Sequence, residues 1–113
     1  KHPAYTAYCL ELADQMLLDE EVDVKKAVSF AVRLSARGEI GPVVDFLGRH
    51  VPPENSAATW VLCDSIRSMT KVLLPEFRTL LPAYEEWMAD PLLSARDRVS
   101  VESAVKALRK TKE

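Results

Sequence analysis

The sequence predicts an all-α chain, a right-handed α–α superhelix of about three antiparallel helix pairs, forming one domain over residues 1–113. Three observations lead there. Apolar residues recur at helical spacing along the chain, and β-branched residues nowhere alternate with polar ones as a half-buried strand requires. The 7 Pro outnumber the 3 Gly and stand mainly at the edges of the periodic stretches, where a missing N–H costs least. Finally, Pro3, Pro42 and Pro82 lie 39 and 40 residues apart, each leading into an apolar or aromatic run. With 48% hydrophobic and 28% charged residues, the chain has enough apolar side chain for one core.

The elements follow in order. Pro3 suits a first helical turn, Tyr5, Tyr8, Cys9, Leu12 and Met16 form a predicted apolar face, and Asp19-Glu20-Glu21 ends the pattern. From about Asp23 a second helix lines up Val24, Ala27, Val28, Ala31 and Leu34, with Lys25, Lys26, Arg33 and Arg37 largely opposite and Gly38 and Gly41 at its end. Gly41-Pro42 opens a short helix containing Val43, Val44, Phe46 and Leu47, closed by Gly48 and Pro52-Pro53. Asn55 is the expected N-cap of a fourth helix whose apolar side is Ala58, Val61, Leu62, Ser65, Met69 and Val72. Pro75 and Pro82 predict a kink or break near Leu81, after which come Tyr84, Trp87 and Met88. Ser94-x-x-Asp97 reads as a capping box with Asp in place of Glu, and the last helix carries Val101, Ala104, Val105 and Leu108.

Two helices every 40 or so residues is the spacing of HEAT or armadillo arrays, in which each pair buries its face on the next. This is preferred over a compact six-helix bundle such as a death-domain-like fold. A terminal pair in an array needs a polar outer face, which the apolar first helix lacks. The chain is therefore expected to be a piece of a longer array, or to meet a protein partner or a second copy of itself through that helix.

Several chemistries are excluded. Two histidines without Cys-x-x-Cys or His-Glu-x-x-His spacing make a zinc site improbable, and Gly38, Gly41 and Gly48 build neither a P-loop nor a dinucleotide fingerprint, so no metal or cofactor is expected. Cys9 and Cys63 read as inert core thiols, which fits a reducing, cytoplasmic setting, and no apolar stretch approaches the about 18 residues of a membrane span. Asp19-Glu20-Glu21 and Glu85-Glu86 read as solvated, and His50 as a turn residue.

The net charge of -2 leaves room only for a local basic face. Each second helix supplies one: Lys26, Arg33 and Arg37; Arg67 and Lys71; Arg98, Lys106, Arg109 and Lys110. Stacked pairs would align these as a track for a phosphodiester backbone, against the alternative of ordinary solvated faces. Trp60 and Asp64 stand one turn apart with Arg67 beyond, either as packing with an Asp64–Arg67 or Asp64–Lys71 pair, or as an indole and carboxylate that hold a cationic base.

The stretch from Asp23 to His50 resembles the HEAT-like repeats of the DNA alkylation repair family, through Lys26, Ala27, Val28, Phe30, Ala31, Val32 and Arg33. Trp60-Val-Leu-Cys-Asp64 is similar to that family's Trp-x-x-x-Asp segment. The resemblance implies a HEAT-like binding module on duplex DNA, with Lys26, Arg33, Arg37, Arg67 and Lys71 on the backbone. For a glycosylase releasing alkylated bases it implies Trp60 and Asp64 as catalytic residues. A non-catalytic protein–protein scaffold is the alternative.

Overall fold

A computed structural model of the chain describes residues 3–69 and 75–111. Among these the order is α1 (Pro3–Met16), α2 (Val22–Ala36), α3 (Ile40–Arg49), α4 (Ser56–Ser68), a 3-10 helix (Pro75–Leu80), α5 (Leu81–Met88) and α6 (Ala95–Arg109). Lys71, Val72 and the side chain of Tyr5 lie outside the described residues.

Local chemistry sets the helix ends. The Asn55 side chain accepts the Ala58 N–H at 2.9 Å, and Ser94 Oγ accepts the Asp97 N–H at 3.1 Å, each satisfying a donor that a first turn leaves unpaired. The capping box at Ser94 is only half made. The Asp97 carboxylate takes the Ser56 hydroxyl at 2.9 Å, which joins the starts of α4 and α6. The prolines break the chain as predicted, with the 3-10 helix opening on Pro75 and giving way to α5 at Leu81. α3 begins at Ile40 and runs through Gly48, where the sequence predicted its end. Gly48 matters for space, since a Cβ there would stand 3.2 Å from Leu80.

The buried face of α1 differs from the predicted one. Cys9 is buried, but Tyr8, Leu12 and Met16 are exposed, and the inward stripe is Thr6, Leu10, Ala13 and Leu17. Small Thr6 and Ala13 let the helix sit close to α2 and α3, the elements it packs against. α2 differs similarly: Ala27 is exposed, whereas Ser29 and Ser35 are buried beside Val28 and Val32. Both serines find partners, Ser35 Oγ donating to the Ala31 carbonyl at 2.8 Å and Ser29 Oγ to Asp64 at 2.7 Å.

The helices form a compact all-α unit with antiparallel neighbours. α1 lies on α2 and α5 on α6, while α2 packs on α4 and α4 on α6. Lys25 stands over Trp60 and Ser29 bonds to Asp64, one turn further along both helices, so α2 and α4 run in the same direction. Several long-range hydrogen bonds join residues 35–41 apart: Ser29–Asp64 and Asp14–Arg49 at 35, Leu18–Asn55 and Leu47–Tyr84 at 37, and Ser56–Asp97 at 41. The unit measures 40 × 36 × 20 Å. Its short axis matches two helix layers at the usual spacing of about 8–10 Å. Among the described residues no helix is long and apolar enough to cross a membrane.

Candidate nucleic-acid interface

Because α2 buries Val28, Val32 and Ser35, its opposite side faces out. Val22, Lys26, Phe30, Arg33 and Arg37, spaced four, four, three and four residues apart, share that side. Lys26 and Arg37 are exposed, Arg33 is half-buried, and Phe30 is 57% exposed despite its aromatic ring. The Arg33 guanidinium lies 5.7 Å from the Phe30 ring centroid, and its Nε donates to the Ser29 carbonyl at 3.4 Å. The exposed Asp23 stands on the same face one turn before Lys26, and no carboxylate lies between Lys26 and Arg37. Arg33 and Arg37 also rim a groove of about 540 Å³ whose floor includes Leu34, Ile40, Met69 and Phe77.

Trp60 and Asp64 sit half-buried on α4 and are engaged by their own chain. The Lys25 ammonium lies 5.5 Å from the Trp60 ring centroid, within cation–π reach. One Asp64 oxygen accepts the Ser29 hydroxyl at 2.7 Å, and the other pairs with Arg67 at 3.2 Å, the packing partner expected from sequence. Ser65 Oγ lies 3.4 Å from Ser29 Oγ and donates to the Val61 carbonyl at 2.7 Å. Together these groups clasp α2 to α4. The roles of Lys25 and Ser29 were not recognised in the sequence, because both meet groups 35 residues further along the chain. Replacing Asp64 with Ala should lower stability by about 1–3 kcal/mol, because a buried hydroxyl loses a charged acceptor and Arg67 loses a partner. Urea denaturation measures it, and a loss below a few tenths would remove the clasp from the account.

Two of the other predicted basic residues, Arg98 and Arg109, are engaged within the chain. Arg98 donates to the Met88 and Asp90 carbonyls, both at 2.7 Å, closing the open end of α5. Arg109 pairs with Glu85 at 3.0 Å. On α2 Lys26 and Arg37 are exposed and Arg33 half-buried, while Arg67 on the adjacent α4 is paired with Asp64. Lys106 and Lys110 are exposed on α6 and its cap, and Lys71 lies outside the described residues.

A second charged cluster ties α1 to α3. Arg49 reaches Asp14 at 3.1 Å and Asp45 at 2.7 Å, and its charge is held more firmly than usual, since these two carboxylates outweigh the opposing effect of burial. His50 Nε2 stands 2.6 Å from Asp14, at ion-pair distance but off the line of a hydrogen bond, and its ring meets Phe46 edge-on at 4.8 Å. His50 lies in the turn after α3, as read from the sequence, and from there meets Asp14 and Phe46.

Both cysteines are buried and free. Burial pushes the Cys63 thiol up to about 12, with Asp97 and Asp64 adding to the shift and Arg67 opposing it, so the group is a protonated core thiol and no nucleophile. Among the described residues no group of three or more His, Cys, Asp or Glu is placed to hold a metal.

Compared with protein-family models, curated proteins and solved structures, the chain gives no match.

Proposed function

We propose that the chain is a HEAT-like helical binding module, part of a right-handed α–α array, that contacts nucleic-acid backbone, duplex DNA included, through the outward face of α2. The observation that carries the proposal is the alignment of Lys26, Arg33 and Arg37 on one solvent-facing stripe without an acidic residue among them. The parallel packing of α2 and α4, and the links spaced near 35–41 residues, support the array. The likeness to alkylation-repair repeats points to the same ligand. Base excision is not part of the proposal, because Lys25, Ser29 and Arg67 already engage the indole and carboxylate that excision would use.

Fluorescence anisotropy with a labelled duplex, titrated between 50 and 200 mM salt, tests it. Each cation that neutralises a phosphate adds about 0.9 to the slope of log K against log salt, so the double variant Arg33→Gln/Arg37→Gln should reduce the slope by about 2. Binding without salt dependence, or an unchanged slope in the variant, overturns the proposal.

A second reading, a protein–protein scaffold, is favoured by the exposed stripe of Tyr8, Leu12 and Met16 on α1. On that reading Tyr8→Ala weakens partner binding and the arginine variants do not.

A further inference from the structure

We infer that the groove beside α2 receives an unstacked nucleobase, so that the ligand is single-stranded nucleic acid in preference to fully stacked duplex. The inference rests on the backbone reading above and adds the substrate class. Arg33 and Arg37 belong to two features at once, the basic stripe and the rim of the groove, so a backbone held along α2 passes the groove mouth. Phe30 forms the lip, more than half exposed, with a guanidinium near its ring. An aromatic residue between cations is the arrangement on which single-stranded bases stack, because every base offers a π-face and stacking needs no base-edge contact.

The walls agree with that occupant. The volume of about 540 Å³ is ample for one base, and the floor of Leu34, Ile40, Met69 and Phe77 is apolar. Among the described lining residues the one uncharged polar side chain is that of the exposed Ser68, so these walls offer a ring burial rather than contacts to its hydrogen-bonding edge. Bases in a duplex are already stacked and cannot reach the floor while their phosphates stay on α2. A linear set of cations, about 10.5 Å and then about 6 Å apart at 1.5 Å rise per residue, suits a polymer with regularly repeated anions better than a ligand with one carboxylate.

The test compares three labelled ligands on the full chain by anisotropy at low salt: a 15-nucleotide oligothymidylate, an abasic strand of equal length and charge, and a duplex of the same length. Oligothymidylate should bind about tenfold more tightly than the abasic strand, the size of one stacked base, and more tightly than the duplex. Phe30→Ala, at an exposed position where circular dichroism should show the fold intact, should lower oligothymidylate binding about tenfold and so remove its advantage over the abasic strand. Equal, salt-dependent binding of oligothymidylate and the abasic strand overturns the base-binding groove and leaves the backbone reading standing. Tighter duplex binding, or a Phe30→Ala loss that is the same for both single strands, also overturns it. No binding of any of the three overturns both readings.

Discussion

Between pH 9 and pH 12 the fold is expected to lose up to about 4 kcal/mol through Cys63 alone. The thiol is fully buried in α4, and burial raises its pKa from 9.0 to about 12. In the unfolded chain it gives up its proton near pH 9, whereas the native state holds that proton until about 12. In that window the unfolded state binds fewer protons, so stability falls as pH rises, by about 1.36 kcal/mol per unit over about three units. Below pH 9 both states are protonated and the contribution is fully present. Tyr84 acts in the same direction from a higher starting point, its phenol being pushed well above 10 first by complete burial and then by the neighbouring Cys63. Against a typical stability of about 5–15 kcal/mol for a native protein, losses of this size bring alkaline unfolding within reach. Urea denaturation at pH 7, 9 and 11 measures the effect. Cys63→Ala removes the thiol, and its stability should decline less steeply above pH 9 than that of the wild type. Parallel decline of the two proteins would sink the argument.

The parts of this fold that were legible in the sequence are those decided within a few residues. Asn55 and Ser94 cap their helices because a side-chain oxygen needs only the backbone three residues on, and Pro75 and Pro82 break the fifth segment wherever the rest of the chain lies. The parts that were not legible depend on which neighbour a helix meets. α1 carries two stripes with helical periodicity, and the one containing Thr6 and Ala13 is buried, a choice that periodicity alone leaves open.

The candidate site divides along the same line. Lys26, Arg33 and Arg37 kept their outward face because their own helix sets it. Arg98 and Arg109 were claimed by carbonyls at the end of α5 and by Glu85, groups 8–10 and 24 residues away in sequence. The groove itself had no sequence signal, since its lining comes from α2, α3, the end of α4 and the 3-10 helix. A charge pattern identifies which cations can face solvent. It does not identify which of them the fold will use for itself.

Tyr84→Ala is expected to be among the most damaging single substitutions, at about 3–5 kcal/mol, the usual cost of truncating a buried aromatic residue. The residue is fully buried, its ring meets Trp87 edge-on at 5.4 Å, and its hydroxyl donates to the Leu47 carbonyl at 2.8 Å. Leu47 lies in the last turn of α3, where carbonyls have no partner within the helix, so one phenol both fills the core and closes a helix end 37 residues earlier in the chain. Two further substitutions separate these roles. Tyr84→Phe keeps the ring and removes the hydroxyl, so it should cost about 1 kcal/mol. Glu85→Gln, one residue on, breaks only the exposed pair with Arg109 and should cost less than about 1 kcal/mol. At roughly 4 °C per kcal/mol for a chain of this size, Tyr84→Ala should lower the Tm by roughly 12–20 °C. Tyr84→Phe should lower it by roughly 4 °C, and Glu85→Gln by less. Thermal melts followed by circular dichroism measure all three. A Tyr84→Phe loss as large as that of Tyr84→Ala would place the energy in the bond to Leu47, and a small loss in both would mean that α5 contributes little to holding the two layers together.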